Sequence, residues 1–144
     1  RSRSGLHQTR SQTIPPGRVQ ASRIRQPLLW RRKDWWRVDV TVAGDRAATC
    51  AQDVKACALG QASAAGLGAS VLGASLSEIE MARDQFRAML KQGADAPQGR
   101  FSDLSMLAPV KDYPARHAST LLAFEAAAEA VRRAVERTSR AGAA

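Results

Sequence analysis

Cys57 is the residue of this sequence best placed to do chemistry. It stands in Val54-Lys55-Ala56-Cys57-Ala58-Leu59-Gly60-Gln61-Ala62-Ser63-Ala64-Ala65, just ahead of a run of very small residues. A thiol at the start of a helix meets unpaired backbone N–H groups and the positive end of the helix dipole. Both favour the thiolate, the form that binds metal and attacks sulfur. The other cysteine, Cys50, lies seven residues upstream. On a regular strand that spacing turns it away from Cys57, and it reads as core filler. Cys57 and His117 would make a Cys–His nucleophile pair, but the sequence offers no group to orient the histidine and no oxyanion donor. No phosphate loop, zinc motif or dinucleotide fingerprint occurs. The chain is therefore read as a non-enzyme.

Charge divides the chain in two. Residues 1–37 hold ten Lys/Arg and one acid, Asp34, while residues 38–144 hold twelve of each. The formal net charge of +9 thus belongs to an N-terminal arm, and the remainder is balanced. At 144 residues the chain is large enough for one core and not two. Residues 1–27 are rich in Arg, Ser, Gln and Pro, with sparse apolar residues of no sustained period, and are expected to be disordered. Three functions fit such an arm: a tether for nucleic acid or an anionic membrane, an organelle transit peptide, or a solvated leader with no role. Trp30, Trp35 and Trp36 alternate with Arg31, Arg32, Lys33 and Arg37. Such a pattern stacks on bases, seats on a membrane surface, or covers a sheet edge. Two cysteines are too few for a disulfide framework and suit a reducing compartment, the cytoplasm, or an organelle matrix if the arm is a transit peptide. The first apolar cluster, Leu28-Leu29-Trp30, is too short for a signal peptide.

The elements that must position Cys57 follow from periodicity. Trp36 to Val42 alternates apolar and polar residues as a half-buried strand does; Ala43-Gly44-Asp45-Arg46 reads as a turn, and Ala47 to Lys55 as a second strand delivering Cys57 to a helix tip. From Ala56 to Ser77 there are 22 residues without charge, a length that could span a bilayer. Nine of them are Gly, Ser or Gln, however, which suits a helix lying close against a sheet. Gly66 and Gly68 each cost up to ~1 kcal/mol there, so packing must hold the helix. Ser77 with Glu80 reads as a capping box. It opens a helix with Ile79, Ala82, Phe86 and Met89 on one face and Gly93 at its end. Phe101 to Leu107 is expected to be a short helical turn stopped at Pro109. Pro114 opens a last helix with Leu121, Phe124, Ala128, Val131 and Val135 facing the core, and with i,i+4 pairs Glu129–Arg133 and Glu136–Arg140 outside.

Ala56 to Ala64 resembles the Gly-Cys-Ala-Ile-Ser-Gln-Ala-Ser motif of the NifU/IscU family of iron–sulfur cluster assembly scaffolds. Met106-Leu107-Ala108-Pro109-Val110 with Tyr113-Pro114-Ala115-Arg116 is similar to that family's Leu-x-x-Val…Pro-x-Arg junction. The resemblance runs from about Val38 to Arg133. It implies an α+β fold, a small antiparallel sheet of two to three strands with helices on one face, over residues 38–144. It also implies a transiently held iron–sulfur cluster or iron, with zinc as an alternative, a cysteine desulfurase as partner, and apo iron–sulfur proteins as acceptors. Such scaffolds hold their cargo with three cysteines, an aspartate and sometimes a histidine. Here Cys57 matches the central cysteine. Ser119 stands where the third should fall, so that ligand position is lost, and His117 lies one residue from the expected histidine, in a first helical turn where exposure is expected. Ala43-Gly44-Asp45 looks like the first ligand motif without its thiol, although the turn reading fits it better. The resemblance therefore implies Cys57 as cluster or metal ligand, and His117 beside it as a candidate. The alternatives are a binding module that uses the basic arm and a degenerate scaffold fold without metal.

Overall fold

The fold comes from a computed structural model that describes residues 7–13, 19–27 and 35–143, with side chains from 37 to 143. Strands β3 (Trp35–Ala43) and β4 (Arg46–Lys55) form the expected hairpin across a turn at Gly44-Asp45. Two further strands, β1 (His7–Thr13) and β2 (Val19–Pro27), add to its edges to give the antiparallel order β1-β4-β3-β2. The sheet thus has four strands rather than two to three, and these two stretches are strands where a disordered arm was expected. The reason is that both edges of an isolated hairpin carry unpaired N–H and C=O groups. A polar segment such as His7–Thr13 can satisfy them through its backbone without an apolar pattern of its own. Residues 1–6, 14–18 and 28–34, including Trp30, lie outside the described residues. Trp35 and Trp36 begin β3.

The alternation read in β3 sorts its side chains as expected. Val38, Val40 and Val42 are buried, whereas Arg37, Asp39 and Thr41 are half-buried on the opposite face. On β4 the inward set is Cys50, Gln52 and Val54, with Val40 opposite Cys50 and a register shift between Thr41 and Val42. Helices cover that inward face. Helix α1 (Ala58–Ser70) packs on β4 and the long α3 (Pro114–Gly142) on β2 and β3, while α2 (Leu76–Gln92) and a 3-10 segment (Gly99–Asp112) close over α3. The architecture is α+β with helices on one face of an antiparallel sheet. Among the described residues, no helix is long and apolar enough to cross a membrane.

Three local expectations need correction. The capping box is Ser75 with Glu78, not Ser77 with Glu80: Glu78 N donates to Ser75 Oγ (3.2 Å) and Ser75 N to Glu78 Oε2 (2.7 Å). The chain before α2 is tied to the hairpin, with Ala47 N donating to Ala74 O (2.9 Å) and Leu76 N to Asp45 O (3.0 Å). Those bonds fix where the helix begins. The Ser75 N–H, with the Arg100 and Arg46 guanidinium groups nearby, holds the Glu78 carboxyl below its usual range. Ser75→Ala is expected to cost about 1 kcal/mol in urea unfolding and Ser77→Ala clearly less, the reverse of what the Ser77 box would give.

The 3-10 segment runs to Asp112, through Pro109, instead of stopping there. Proline's fixed φ suits a helical backbone, so the missing N–H and the crowding of the preceding turn do not end the segment at Pro109. On α3 Glu129 pairs with Arg133 at 2.7 Å as expected, but Glu136 pairs with Arg132 at 2.6 Å rather than with Arg140. The other capping expectation holds. Gly93 ends α2 in the left-handed conformation, φ +67°, over a buried stripe of Ile79, Ala82, Phe86, Met89 and Leu90.

Candidate functional site

Cys57 is the N-cap residue of α1, with extended backbone angles (φ −64°, ψ 168°), and its thiol makes no capping bond of its own. It is half-buried. The helix start sits there because β4 ends at Lys55 and Gln61 N closes the first turn on Cys57 O at 3.0 Å. Gln61 Nε2 also donates to Ala56 O at 3.2 Å, which holds the strand-to-helix junction from the side-chain end. The thiol therefore lies at the electropositive end of a thirteen-residue helix.

Ser119 lies opposite, on α3. Its Oγ is 3.8 Å from Cys57 Sγ, although 62 residues separate the two in sequence. The side chain is buried, at 2% exposure, and donates to Arg116 O at 3.1 Å. That carbonyl has a second donor, Thr120 Oγ1 at 2.7 Å. Gly60 is what lets the helices meet. A Cβ there would stand 2.8 Å from Ala56 Cβ and 3.2 Å from Ser119 O, so α1 rests its first turn on the α3 backbone through a bare Cα.

His117 is not exposed, as a first-turn residue was expected to be; it is buried at 8% exposure. Its Nε2 lies 3.1 Å from Val110 O and 3.2 Å from Lys111 O, two acceptors, so this nitrogen carries the proton and points at the end of the 3-10 segment. The imidazole thus ties α3 to the preceding segment, and Nε2 is not free for a metal. Cys50 sits in the core at 4% exposure, as its place on the strand suggested. Burial first, then the Asp39 carboxylate, pushes its thiol up to about 12, so it stays protonated and inert at neutral pH. Asp45 is at the hairpin turn, the far end of the ten-residue β4 from Cys57. At a strand rise of about 3.4 Å per residue the separation is about 30 Å, which removes the Ala43-Gly44-Asp45 stretch from the site.

The structure therefore brings together Cys57 and Ser119, and not Cys57 with Cys50 or Asp45. The residues that the sequence reading missed are Gly60 and the Arg116 carbonyl. The first was signalled by a glycine inside a helix, and the second is a backbone atom with no sequence signal.

No family model matches the chain, and no curated protein sequence does either. Solved structures do. The crystal structure of a nitrogen-fixing NifU-like protein (N-terminal) from Brucella abortus is 39% identical, covers 81% of this chain and 78% of its own, and superposes with a TM-score of 0.72. The chain belongs to the NifU/IscU-like family. A protein assigned as an iron–sulfur cluster assembly scaffold for the SUF system, from thermophilic Fervidobacterium islandicum AW-1, shares the fold. It is 18% identical, covering 78% of this chain and 79% of its own, with a TM-score of 0.65. A third solved structure, of a hypothetical protein, is 26% identical over 80% of this chain and 82% of its own, with a TM-score of 0.61.

A tetrahedral thiolate metal site with bonds of about 2.3 Å has donor–donor edges of about 3.8 Å, and needs four donors. The Cys57–Ser119 distance of 3.8 Å matches one such edge. Its chemistry does not, because an alcohol stays protonated where a thiol would ionise. Among the described residues, no group of three or more His, Cys, Asp and Glu side chains is placed to hold a metal ion. In this NifU/IscU-like chain the donors found together among the described residues amount to one thiol and one hydroxyl.

Proposed function

We propose that this chain is a scaffold-like carrier in iron–sulfur cluster assembly, and that its cargo, persulfide sulfur or transient iron and sulfide, is attached through Cys57. The observation that carries this reading is the half-buried thiol at the N-cap of α1, set 3.8 Å from the hydroxyl that stands at a family ligand position. Membership of the family supports the pathway, as does the fold shared with the scaffold protein of the SUF system. A carrier of this kind receives sulfur from a cysteine desulfurase and passes it to apo iron–sulfur proteins, without being an enzyme itself. A reducing compartment such as the cytoplasm keeps both cysteines as thiols.

The transfer balances without an external oxidant. The Cys57 thiolate attacks the outer sulfur of a donor persulfide, R–S–SH. A new S–S bond forms on Cys57, the donor's S–S bond breaks, and the departing thiolate takes up the proton that Cys57 gave up, leaving Cys57–S–SH and R–SH. Incubation with a desulfurase and cysteine is expected to add one sulfur atom to the peptide containing Cys57 by mass spectrometry. Cys57→Ser should abolish the addition, and the buried Cys50 should take up none. Sulfur found on Cys50, or unchanged uptake in Cys57→Ser, would overturn the assignment.

A further inference from the structure

We propose that Ser119 decides what this site carries: with an alcohol in place of a second thiolate, Cys57 accepts a single sulfur and does not retain a metal ion or cluster. This rests on Cys57 being the attachment point, and it narrows the cargo of that site.

Three features of the structure lead here. The first is that the position is kept while the donor is changed. Ser119 Oγ lies 3.8 Å from Cys57 Sγ, the edge length of a tetrahedral thiolate site, so a thiol at 119 would need no rearrangement to bind beside Cys57. The second is the state of the hydroxyl. It is buried and donates its proton to Arg116 O, and its partners among the described residues are that carbonyl and the Cys57 thiol. A neutral alcohol is a weak ligand for iron, and soft metals select thiolates. The third is the double donation to Arg116 O. Thr120 Oγ1 already bonds that carbonyl at 2.7 Å, so the Ser119 O–H can swing to the Cys57 side without leaving the carbonyl bare. A sulfur added to Cys57 therefore meets a hydroxyl that can turn to donate to it, whereas a metal ion meets only a neutral oxygen. His117, the other candidate, has its Nε2 held by Val110 O and Lys111 O.

Cobalt(II) titration tests this, read by the thiolate-to-cobalt charge-transfer absorption, which needs no cluster and no partner. The full chain as it stands is expected to give no saturable band. Ser119→Cys should gain one, and Cys57→Ser/Ser119→Cys should lose it. The gain in affinity should be about 10-fold or more, since even an outer-shell partner of a metal ligand is worth about 10–100-fold. Circular dichroism and the thermal midpoint establish that each variant is folded. A saturable band of equal strength in the unaltered chain and in Ser119→Cys would overturn the proposal. So would a folded Ser119→Cys protein without a band, because the pair would then not be aligned. Failure of sulfur transfer to Cys57 in the preceding experiment, with the cobalt pattern as expected, would remove the carrier reading and the single-sulfur half of this proposal, and leave only the exclusion of metal by Ser119.

Discussion

Phe124→Ala is expected to lower the unfolding free energy by about 3–5 kcal/mol, the usual range for emptying a buried phenylalanine site. Phe124 has no exposed surface and stands where three elements meet. Its ring lies edge-on to Phe86 of α2, with centroids 5.5 Å apart at 70°, and to Phe101 at the start of the 3-10 segment, 5.6 Å apart at 77°. Edge-to-face pairs contribute about 0.5–1.5 kcal/mol each beyond the area they bury, so the cost belongs to the upper part of the range. The cavity cannot close readily, because its walls are carried on α2, α3 and the 3-10 segment, and no one of them can move in without leaving its other contacts. Domains of this kind have only about 5–15 kcal/mol in total. A fall in the thermal midpoint on the order of 10 °C or more is therefore expected, and a matching shift of the urea midpoint with little change in slope. Met106→Ala, at a side chain 71% exposed, serves as control and should stay within about 0.5 kcal/mol. A Phe124→Ala protein within about 1 kcal/mol of the parent would mean that this core collapses around the gap, contrary to the behaviour of packed interiors.

The parts of the fold legible in the sequence are those whose side chains announce a period. Ile79, Ala82, Phe86 and Met89 mark one face of α2 and Gly93 its end, and the structure places all five accordingly. The β3–β4 hairpin was equally plain, because Val38, Val40 and Val42 alternate with polar residues. The capping box was not, for a reason visible in the chain. Ser75 has Glu78 three residues on, and Ser77 has Glu80, so the motif occurs twice in six residues. Only tertiary bonds from Ala74 and Leu76 to the hairpin choose between them. Strands β1 and β2 were illegible because what recruits them is the backbone at the hairpin edges, and no side-chain pattern encodes that. At the site, the resemblance to the family pointed to Ser119, and the structure sets it against Cys57. It could not give the orientation of His117, which depends on where the 3-10 segment ends. Nor could it give the approach of α1 to α3.

That approach leads to the other large effect, at Gly60. Alanine is worth up to about 1 kcal/mol more than glycine inside a helix, so on propensity alone Gly60→Ala should stabilise α1. Packing opposes it. The added methyl would lie 2.8 Å from Ala56 Cβ and 3.2 Å from Ser119 O, the one a methyl fixed to its backbone and the other a backbone carbonyl, and neither can turn aside. Overpacking of this sort costs about 1–3 kcal/mol, and two immovable contacts put it toward the upper end, so after the propensity gain a net loss of up to about 2 kcal/mol is expected. The strain is relieved by lifting the first turn of α1 away from α3. Cys57 is on that turn and Ser119 is the residue it rests on, so the 3.8 Å pair opens with it. Gly60→Ala placed in the Ser119→Cys protein should therefore weaken or remove the cobalt band, even though neither ligand is altered. Ala56→Gly takes away the shorter of the two contacts and should restore part of both stability and band. A Gly60→Ala protein more stable than its parent by the propensity difference, with the cobalt pair intact, would show that the contact between α1 and Ser119 is looser than these distances state, and that the pairing of Cys57 with Ser119 does not depend on the missing side chain.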